Sequence, residues 1–468
     1  MNNRLLLMTP SPDSASKTLR KDLGLCTMEG VVASPMVFLT IGGNFILAAL
    51  LIQVFAVNHA FYGLLASLPA WANTFQLLLV PILSRYFSAR TIMLANAWMQ
   101  LLVWTIFTAL LSAFPPAGHE VPATFLLFFL AAMALTQALT GVGWTTWLQE
   151  WIPPRIRGRY LGRRNRWCSL AMILFLLAAG FFVETKGGEL SGYLSLFWVV
   201  IVLRLVGIGF LHRIQPSRQD SVQVLAPAGW TAQMQSLRQN TSFRNFVFYA
   251  ALSAFWMNLA GPFYPVFMYE NLDLSLRSVK QFIIVGSLTG ALAWPFWGRL
   301  CDRFGAKPVI IASMILWETP NLLWSFLTPQ TSFVLYGLFA WGGCVACGFF
   351  MGTFNLLLKI VPRSAKLSGI SVNLAASSLA AGIAPILAGF IFQNMVAEAH
   401  IDLAYRVLFF IKPLCLILCL VLLRNVVETD RREMNAFLGG MRMFRSLLAT
   451  QGMSFLVNFH LVKKRPRR

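Results

Sequence analysis

Charge is scarce in this chain, and acidic charge is scarcest. Only 12% of the 468 residues are charged, and 17 of them are Asp or Glu. A soluble domain carries about 25% charged residues. The polar loops and surface that a soluble chain of this length needs are missing, which excludes a soluble enzyme, a fibrous protein and a disordered protein. Short alternating strand patterns are missing too, so helices are the only available way to span a bilayer. The seven cysteines do not form a secreted framework, because Cys168, Cys344, Cys347, Cys415 and Cys419 fall in or beside apolar runs. Cys344 and Cys347, three apart on an apolar segment, read as small-residue packing and not as a metal site. The chain has no GxxxxGK[ST] phosphate loop, no HExxH zinc motif and no GxSxG elbow. An enzyme or energised pump, a cofactor and a metal are therefore not expected. Residues 1–30 are polar, end in Met28-Glu29-Gly30, and read as a segment without a cleavable signal.

Apolar residue is what the chain has in quantity, at 57%. Twelve membrane helices need roughly 240 apolar-rich residues at about 20 each. Twelve runs answer to this, at 33–57, 61–83, 91–114, 122–149, 167–184, 191–212, 245–270, 280–299, 308–328, 331–361, 367–396 and 402–424. Prolines inside them, such as Pro69, Pro262, Pro295, Pro320 and Pro385, are tolerated in membrane helices and kink them.

The net charge is +21, from 38 Lys and Arg. Those residues cluster in alternate loops, which argues for anionic lipid and against nucleic acid as the partner. One set of loops holds Arg85 and Arg90, then Arg155 through Arg166, then Arg299, Arg303 and Lys307, then Arg363 and Lys366. The other set holds few cations, together with Glu120, Glu184, Glu189, Glu270, Asp273, Glu398 and Asp402. The basic set is expected in the cytoplasm with both termini. The domain plan is then a cytoplasmic segment 1–32, a six-helix bundle 33–212, a polar linker 213–244, a second bundle 245–425 and a basic tail 426–468. In the tail, Met434, Phe437, Leu438, Met441, Phe444, Leu447 and Leu448 recur at helical spacing ahead of Lys463-Lys464-Arg465. That pattern predicts an amphipathic helix lying on the membrane surface.

The two bundles repeat. Gly143, Leu148 and Pro153 match Gly352, Leu357 and Pro362 at a constant offset of 209, and Arg157 then meets Lys366. Ser84 through Arg90 lines up with Asp302 through Lys307, allowing one insertion. Six helices per repeat make the repeats parallel, about an axis along the membrane normal.

Gly298-Arg299-Leu300-Cys301-Asp302-Arg303-Phe304-Gly305-Ala306-Lys307 resembles the G-x-x-x-D-R-x-G-x-K/R loop signature of the major facilitator superfamily. Together with span count and repeat, the resemblance covers about residues 31–425. It implies an all-α fold of two pseudo-symmetric six-helix bundles. It also implies a monomeric plasma (inner) membrane transporter of a small solute, working by alternating access. Gly298, Asp302, Arg303, Gly305 and Lys307 would form the gating loop. In the first copy, Ser84 and Ser88 stand where Asp and Gly are expected, which places the gating charge mainly on the second half.

Ionisable residues at membrane depth are costly and usually carry meaning. Arg204, Glu318 and Lys412 lie well inside their spans. Gln100 corresponds to Glu318 and Arg204 to Lys412 through the repeat. Two polar pairs follow, Gln100–Arg204 and Glu318–Lys412, read as register-fixing contacts with a proton relay as the alternative. Glu29, Glu150, Glu184 and Glu270 are placed at helix ends, which leaves proton coupling open between Glu150 or Glu270 and uniport. In the family's arrangement the cavity is lined by spans 1, 4, 7 and 10. Its candidate ligands are Asn44, Gln53, Gln137, Thr140, Trp144, Trp256, Asn258, Tyr264, Trp341 and Asn355. Amides and indoles without charge suit a neutral polar or amphipathic metabolite. An exporter of lipophilic compounds, or a transporter-like sensor or lipid-handling protein, is the alternative.

Overall fold

The computed structural model describes residues 12–41, 44–115, 121–152, 154–185, 189–214, 230–361, 366–397 and 400–428. The tail helix expected over 434–448, the Lys463 cluster and residues 215–229 of the 213–244 linker lie outside the described residues. So do the side chains of Ser84, Arg85, Glu150, Arg155, Arg157, Arg159, Glu184, Asp302 and Lys366.

The described chain is helical, with no strand among the described residues. The first half holds α1 (Pro12–Leu39), α2 (Phe45–Ala49) running into a π turn (Leu50–Val54), and α3 (His59–Tyr86). It continues with α4 (Ala89–Ala113), α5 (Ala123–Trp151), α6 (Pro154–Glu184) and α7 (Leu190–Arg213). A short α8 (Trp230–Gln239) precedes the second half. That half holds α9 (Thr241–Ala260), α10 (Phe263–Glu270), α11 (Leu276–Phe304), α12 (Ala306–Asn321), α13 (Val334–Ile360), α14 (Lys366–Ala397) and α15 (Ile401–Cys419). Eleven described segments are long and apolar enough to cross a membrane, and α3 occupies the remaining place in the order of twelve. Local chemistry starts several of them. Asn58, Ser88, Asn240 and Ser275 each accept a backbone N–H from the first turn of α3, α4, α9 and α11.

The first span differs from the expected 33–57. Its helix starts at Pro12, and the membrane-compatible stretch is Thr18–Leu39. Polar residues hid it: Asp22 and Glu29 are buried at 3% and 4% exposure, so this polar stretch is packed against protein and not against water. The span is interrupted after Leu39 and restarts at Phe45. The seventh span breaks at the corresponding place, where α9 ends before Gly261-Pro262 and α10 resumes. Asn44 makes the first restart possible. Its amide oxygen accepts from Ile46 N and Leu47 N at 2.8 and 3.3 Å, while its NH2 donates to Phe38 O at 2.7 Å.

The halves share their largest core at one end, and the packing of α3 on α14 extends inward from it as far as Trp71 against Gly382. The largest apolar cluster joins Phe45 and Tyr62 to Phe263, Phe392 and Tyr405, at the end remote from the basic loops. Toward the basic end the core divides. Cys26, Met93, Trp147 and Trp151 form a cluster inside the first half, and Phe243, Ala306, Leu356 and Leu416 form one inside the second.

Candidate functional site

At the closed end the backbones of α3 and α14 nearly touch. A Cβ on Gly63 would lie 2.2 Å from Pro385 O, and one on Gly389 would lie 2.6 Å from His59 O. Only hydrogen fits at either position. Polar contacts bridge the halves beside this seam. Tyr62 donates to Pro262 O at 2.8 Å, and Tyr269 donates to Phe45 O at 2.9 Å. His59 Nε2 lies 3.0 Å from Glu270 Oε2 and 3.2 Å from Tyr405 Oη. Glu270 is thus engaged in an inter-half contact.

A cavity of about 300 Å³ lies in the first half, between α1, α5, α6 and α7. Thr145, exposed near the basic end of α5, marks its mouth. Three charged side chains meet on its wall. Glu29 Oε2 lies 3.3 Å from Arg164 Nη2, and Glu29 Oε1 lies 3.3 Å from Arg204 Nη1. Arg164 also donates from Nε to Cys26 O at 3.3 Å, and its guanidinium sits 4.4 Å from the centre of the Trp144 ring. Gly30 makes room for it, since a Cβ there would come within 2.3 Å of Arg164 Nη2.

Arg204 therefore pairs with Glu29 and not with Gln100. Gln100 donates instead to Gln137 Oε1 at 2.6 Å. The physical reason is charge: a neutral amide cannot compensate a buried guanidinium, so the carboxylate comes from α1. Sequence reasoning missed Glu29 because it read residues 1–32 as lying outside the bundle, and it missed Arg164 because it assigned that arginine to a basic loop. The buried face of α1, with Cys26, Glu29, Ala33 and Met36 at helical spacing, was the available signal.

In the second half Lys412 Nζ lies 2.7 and 2.9 Å from the two Glu318 oxygens. Tyr264 and Trp317 rings stand 5.8 Å from the same ammonium. Asn321 donates to Glu318 Oε2 at 3.3 Å. This pair is fully enclosed and lines neither described cavity.

Of the ten ligand candidates, Gln137, Thr140 and Trp144 line the large cavity. Asn44 lines a second, smaller cavity of about 40 Å³ between α1, α2, α3 and α5, with its amide already committed to the helix break. Gln53 is exposed in the π turn at the closed end. Trp256 packs on Phe255, and Asn258 donates to Ala254 O within its own helix. Tyr264 stacks on Phe409 at 4.6 Å. Trp341 donates to Leu316 O at 2.6 Å, and Asn355 is half-buried in α13. None of these six lines either described cavity.

The signature loop is a tight turn between α11 and α12. Gly305 has φ of 94°, a conformation open to glycine. Gly298 lies against Met351, and the Arg303 guanidinium stands 5.1 Å from the Phe304 ring. A carboxylate at the start of α12 is that of Glu428. Glu428 accepts Ala306 N–H at 2.9 Å and Lys307 N–H at 3.0 Å, and Lys359 Nζ lies 2.7 Å away. Lys307 Nζ donates to Arg424 O and Val426 O at 3.1 and 2.9 Å. Burial alone would raise the Glu428 carboxyl, but the Lys359 ammonium and the two backbone N–H groups outweigh it and hold it below its ordinary range. Among the described residues no cluster of three or more His, Cys, Asp or Glu is placed to hold a metal ion.

Two interrupted helices at matching positions, two bundles and this loop define a class of membrane protein, and comparison with known proteins gives the same class. The sequence profile of the Major Facilitator Superfamily matches residues 246–462. Over that stretch, a little under half of the chain, the sequence is similar to that family. The multi-drug resistance efflux pump PmrA of Streptococcus pneumoniae is 29% identical over 165 residues, 32% of this chain and 37% of PmrA. The chain thus matches only a little over a third of that relative's length. Among solved structures, the nucleoside transporter NupG superposes with a TM-score of 0.63 at 13% identity, covering 87% of this chain and 98% of NupG. The D-xylose-proton symporter superposes with a TM-score of 0.63 at 16% identity, covering 85% and 97%. These two likenesses are of fold.

Proposed function

We propose that the protein is a secondary transporter of a small solute, working by alternating access between its two halves. One observation carries this reading: the core shared by the halves and the glycine and polar contacts of the seam lie at the end remote from the basic loops, while a charged cavity lies toward the other end. The basic loops assign the open end to the cytoplasm, so the described state faces inward, with both termini inside and anionic lipid at the loops. The protein is read as a monomer in the plasma (inner) membrane. Export is the second reading, favoured by the name of the PmrA relative and by the apolar part of the cavity wall, with Ala33 and Val37.

Two spin labels, on the closed-end termini of α3 and α14, test the mechanism by double electron–electron resonance. Two distance populations whose ratio responds to pH or solute are expected. One narrow distribution, unchanged across every condition, would overturn the transporter reading and favour a static sensor.

A further inference from the structure

The large cavity carries more information than its position. Glu29, Arg164 and Arg204 sum to one net positive charge on its wall. Arg204 is 2% exposed, and its Nε and Nη2 meet no hydrogen-bond acceptor among the described residues. Trp144 Nε1, also buried and on the cavity wall, is without an acceptor as well. These three atoms have one property in common: each is a donor and none can accept. Buried donors without acceptors are costly, and a guanidinium more so than an indole. The other polar groups of the wall are engaged. Thr140 donates to Thr136 O at 2.7 Å, and Gln137 accepts from Gln100.

A ligand that satisfies this wall must only accept hydrogen bonds, must carry one negative charge and must be small. A carboxylate meets the first two conditions, because its two oxygens match the guanidinium edge. A doubly charged phosphate would exceed the single positive charge. The volume, about 300 Å³, stands at the lower limit for small-molecule sites. Ala33, Val37 and Gly141 supply an apolar stretch of the wall.

Resting on the transporter reading above, we propose that this cavity binds a small organic monocarboxylate, with its charge on Arg204 Nε and Nη2 and its apolar body toward α1 and α5. The absence of a cavity cation was the reason to expect a neutral solute from sequence, and Arg164 and Arg204 supply that cation. Glu29 then tunes the site: it neutralises one of the two guanidiniums and leaves the other edge of Arg204 for the ligand.

The test uses the purified full-length protein in lipid nanodiscs at pH 7 with four probes: benzoate, its neutral isostere benzamide, benzylammonium, and chloride at matched ionic strength. Thermal midpoint and intrinsic tryptophan fluorescence report binding. Benzoate is expected to raise the midpoint and the other three to leave it unchanged. Arg204→Gln is expected to weaken benzoate at least tenfold. Glu29→Gln, which retains both arginines, is expected to tighten it several-fold by raising the wall charge to two. The double variant Glu29→Gln/Arg204→Gln removes the ion pair as a unit and guards against misfolding of the single variant. It too is expected to lose benzoate. No shift with benzoate, an equal shift with benzamide, or a Glu29→Gln variant with weakened benzoate binding would overturn the proposal. An equal shift with chloride would reduce the site to an inorganic anion and overturn the organic-acid assignment. The two spin-label populations can be read against pH alone, without benzoate, so a failure here leaves the transporter reading standing, and the reverse.

Discussion

The last helix of each half buries a cation, and the two cations are treated differently. Lys412 shares Glu318 with no second cation among the described residues, held by both carboxylate oxygens at 2.7 and 2.9 Å and roofed by aromatic rings. Arg204 shares Glu29 with Arg164 through single contacts of 3.3 Å and keeps two N–H groups without acceptors. The repeat explains the difference. Where the second half has Glu318, the first has Gln100, which has turned to Gln137. The exchange of Glu318 for Gln100, with Glu29 and Arg164 in the cluster instead, separates a closed ion pair, which fixes how helices pack, from an open charge on a cavity wall. A buried pair that is complete has nothing left to offer a ligand.

Breaking the closed pair should have the largest effect. Lys412→Met leaves Glu318 buried and uncompensated, at an expected cost of about 3–5 kcal/mol. Reversible unfolding in mixed micelles measures it. The double variant Glu318→Gln/Lys412→Met should recover most of that loss. Arg204→Met should cost clearly less than Lys412→Met, because Glu29 keeps Arg164. Equal losses would erase the contrast between the halves.

A carboxylate outside the membrane gives an intermediate effect. Glu428→Gln weakens the hold on the first turn of α12 and on Lys359, at an expected cost of about 1.5 kcal/mol near neutral pH. The sign follows from its lowered folded-state value against the ordinary 4.5. Its stabilisation is complete above the ordinary carboxylate range and is lost as pH falls through the lowered value. Wild type and variant should therefore differ at pH 7 and converge in strong acid. A gap that widens on acidification would contradict the assignment.

The sharpest test of the comparison is Gln100→Glu. It gives the first half the carboxylate that the second half has, at a fully buried position, and brings the summed charge of Glu29, Arg164, Arg204 and the new carboxylate from plus one to zero. Left unpaired, that carboxylate should cost about 3 kcal/mol, and paired with Arg204 it should cost less, while benzoate binding should fall about tenfold in either case. Unchanged binding would show that Gln100 stands too far from Arg204 to matter.

Much of this was legible in the sequence. Helical spans and the Glu318–Lys412 contact follow from hydropathy, from the offset between halves and from the cost of isolated charge at depth. Gln137, Thr140 and Trp144 were legible as wall residues because the family resemblance puts their span on the cavity. The first span was not, since a helix buried by protein need not look like one buried by lipid: Asp22 and Glu29 lower its hydropathy and still sit inside. Arg164 was hidden by its neighbours, five arginines that suggested a loop. Asn44 illustrates the converse. Its amide in an apolar run suggested a ligand contact, and its hydrogen bonds are committed to restarting a broken helix. Composition does not separate these cases, because both require a polar group among apolar ones.

Glu428 also bears on the order in which the molecule can be assembled. The two N–H groups it holds belong to residues made 122 and 121 positions earlier. During synthesis α11, α12 and the turn at Gly305 emerge first, and their cap is absent until α13, α14 and α15 have followed. The signature loop is therefore finished by nearly the last residue of the second bundle to leave the ribosome. A chain that stops short of residue 428 inserts all its spans and still leaves this turn open.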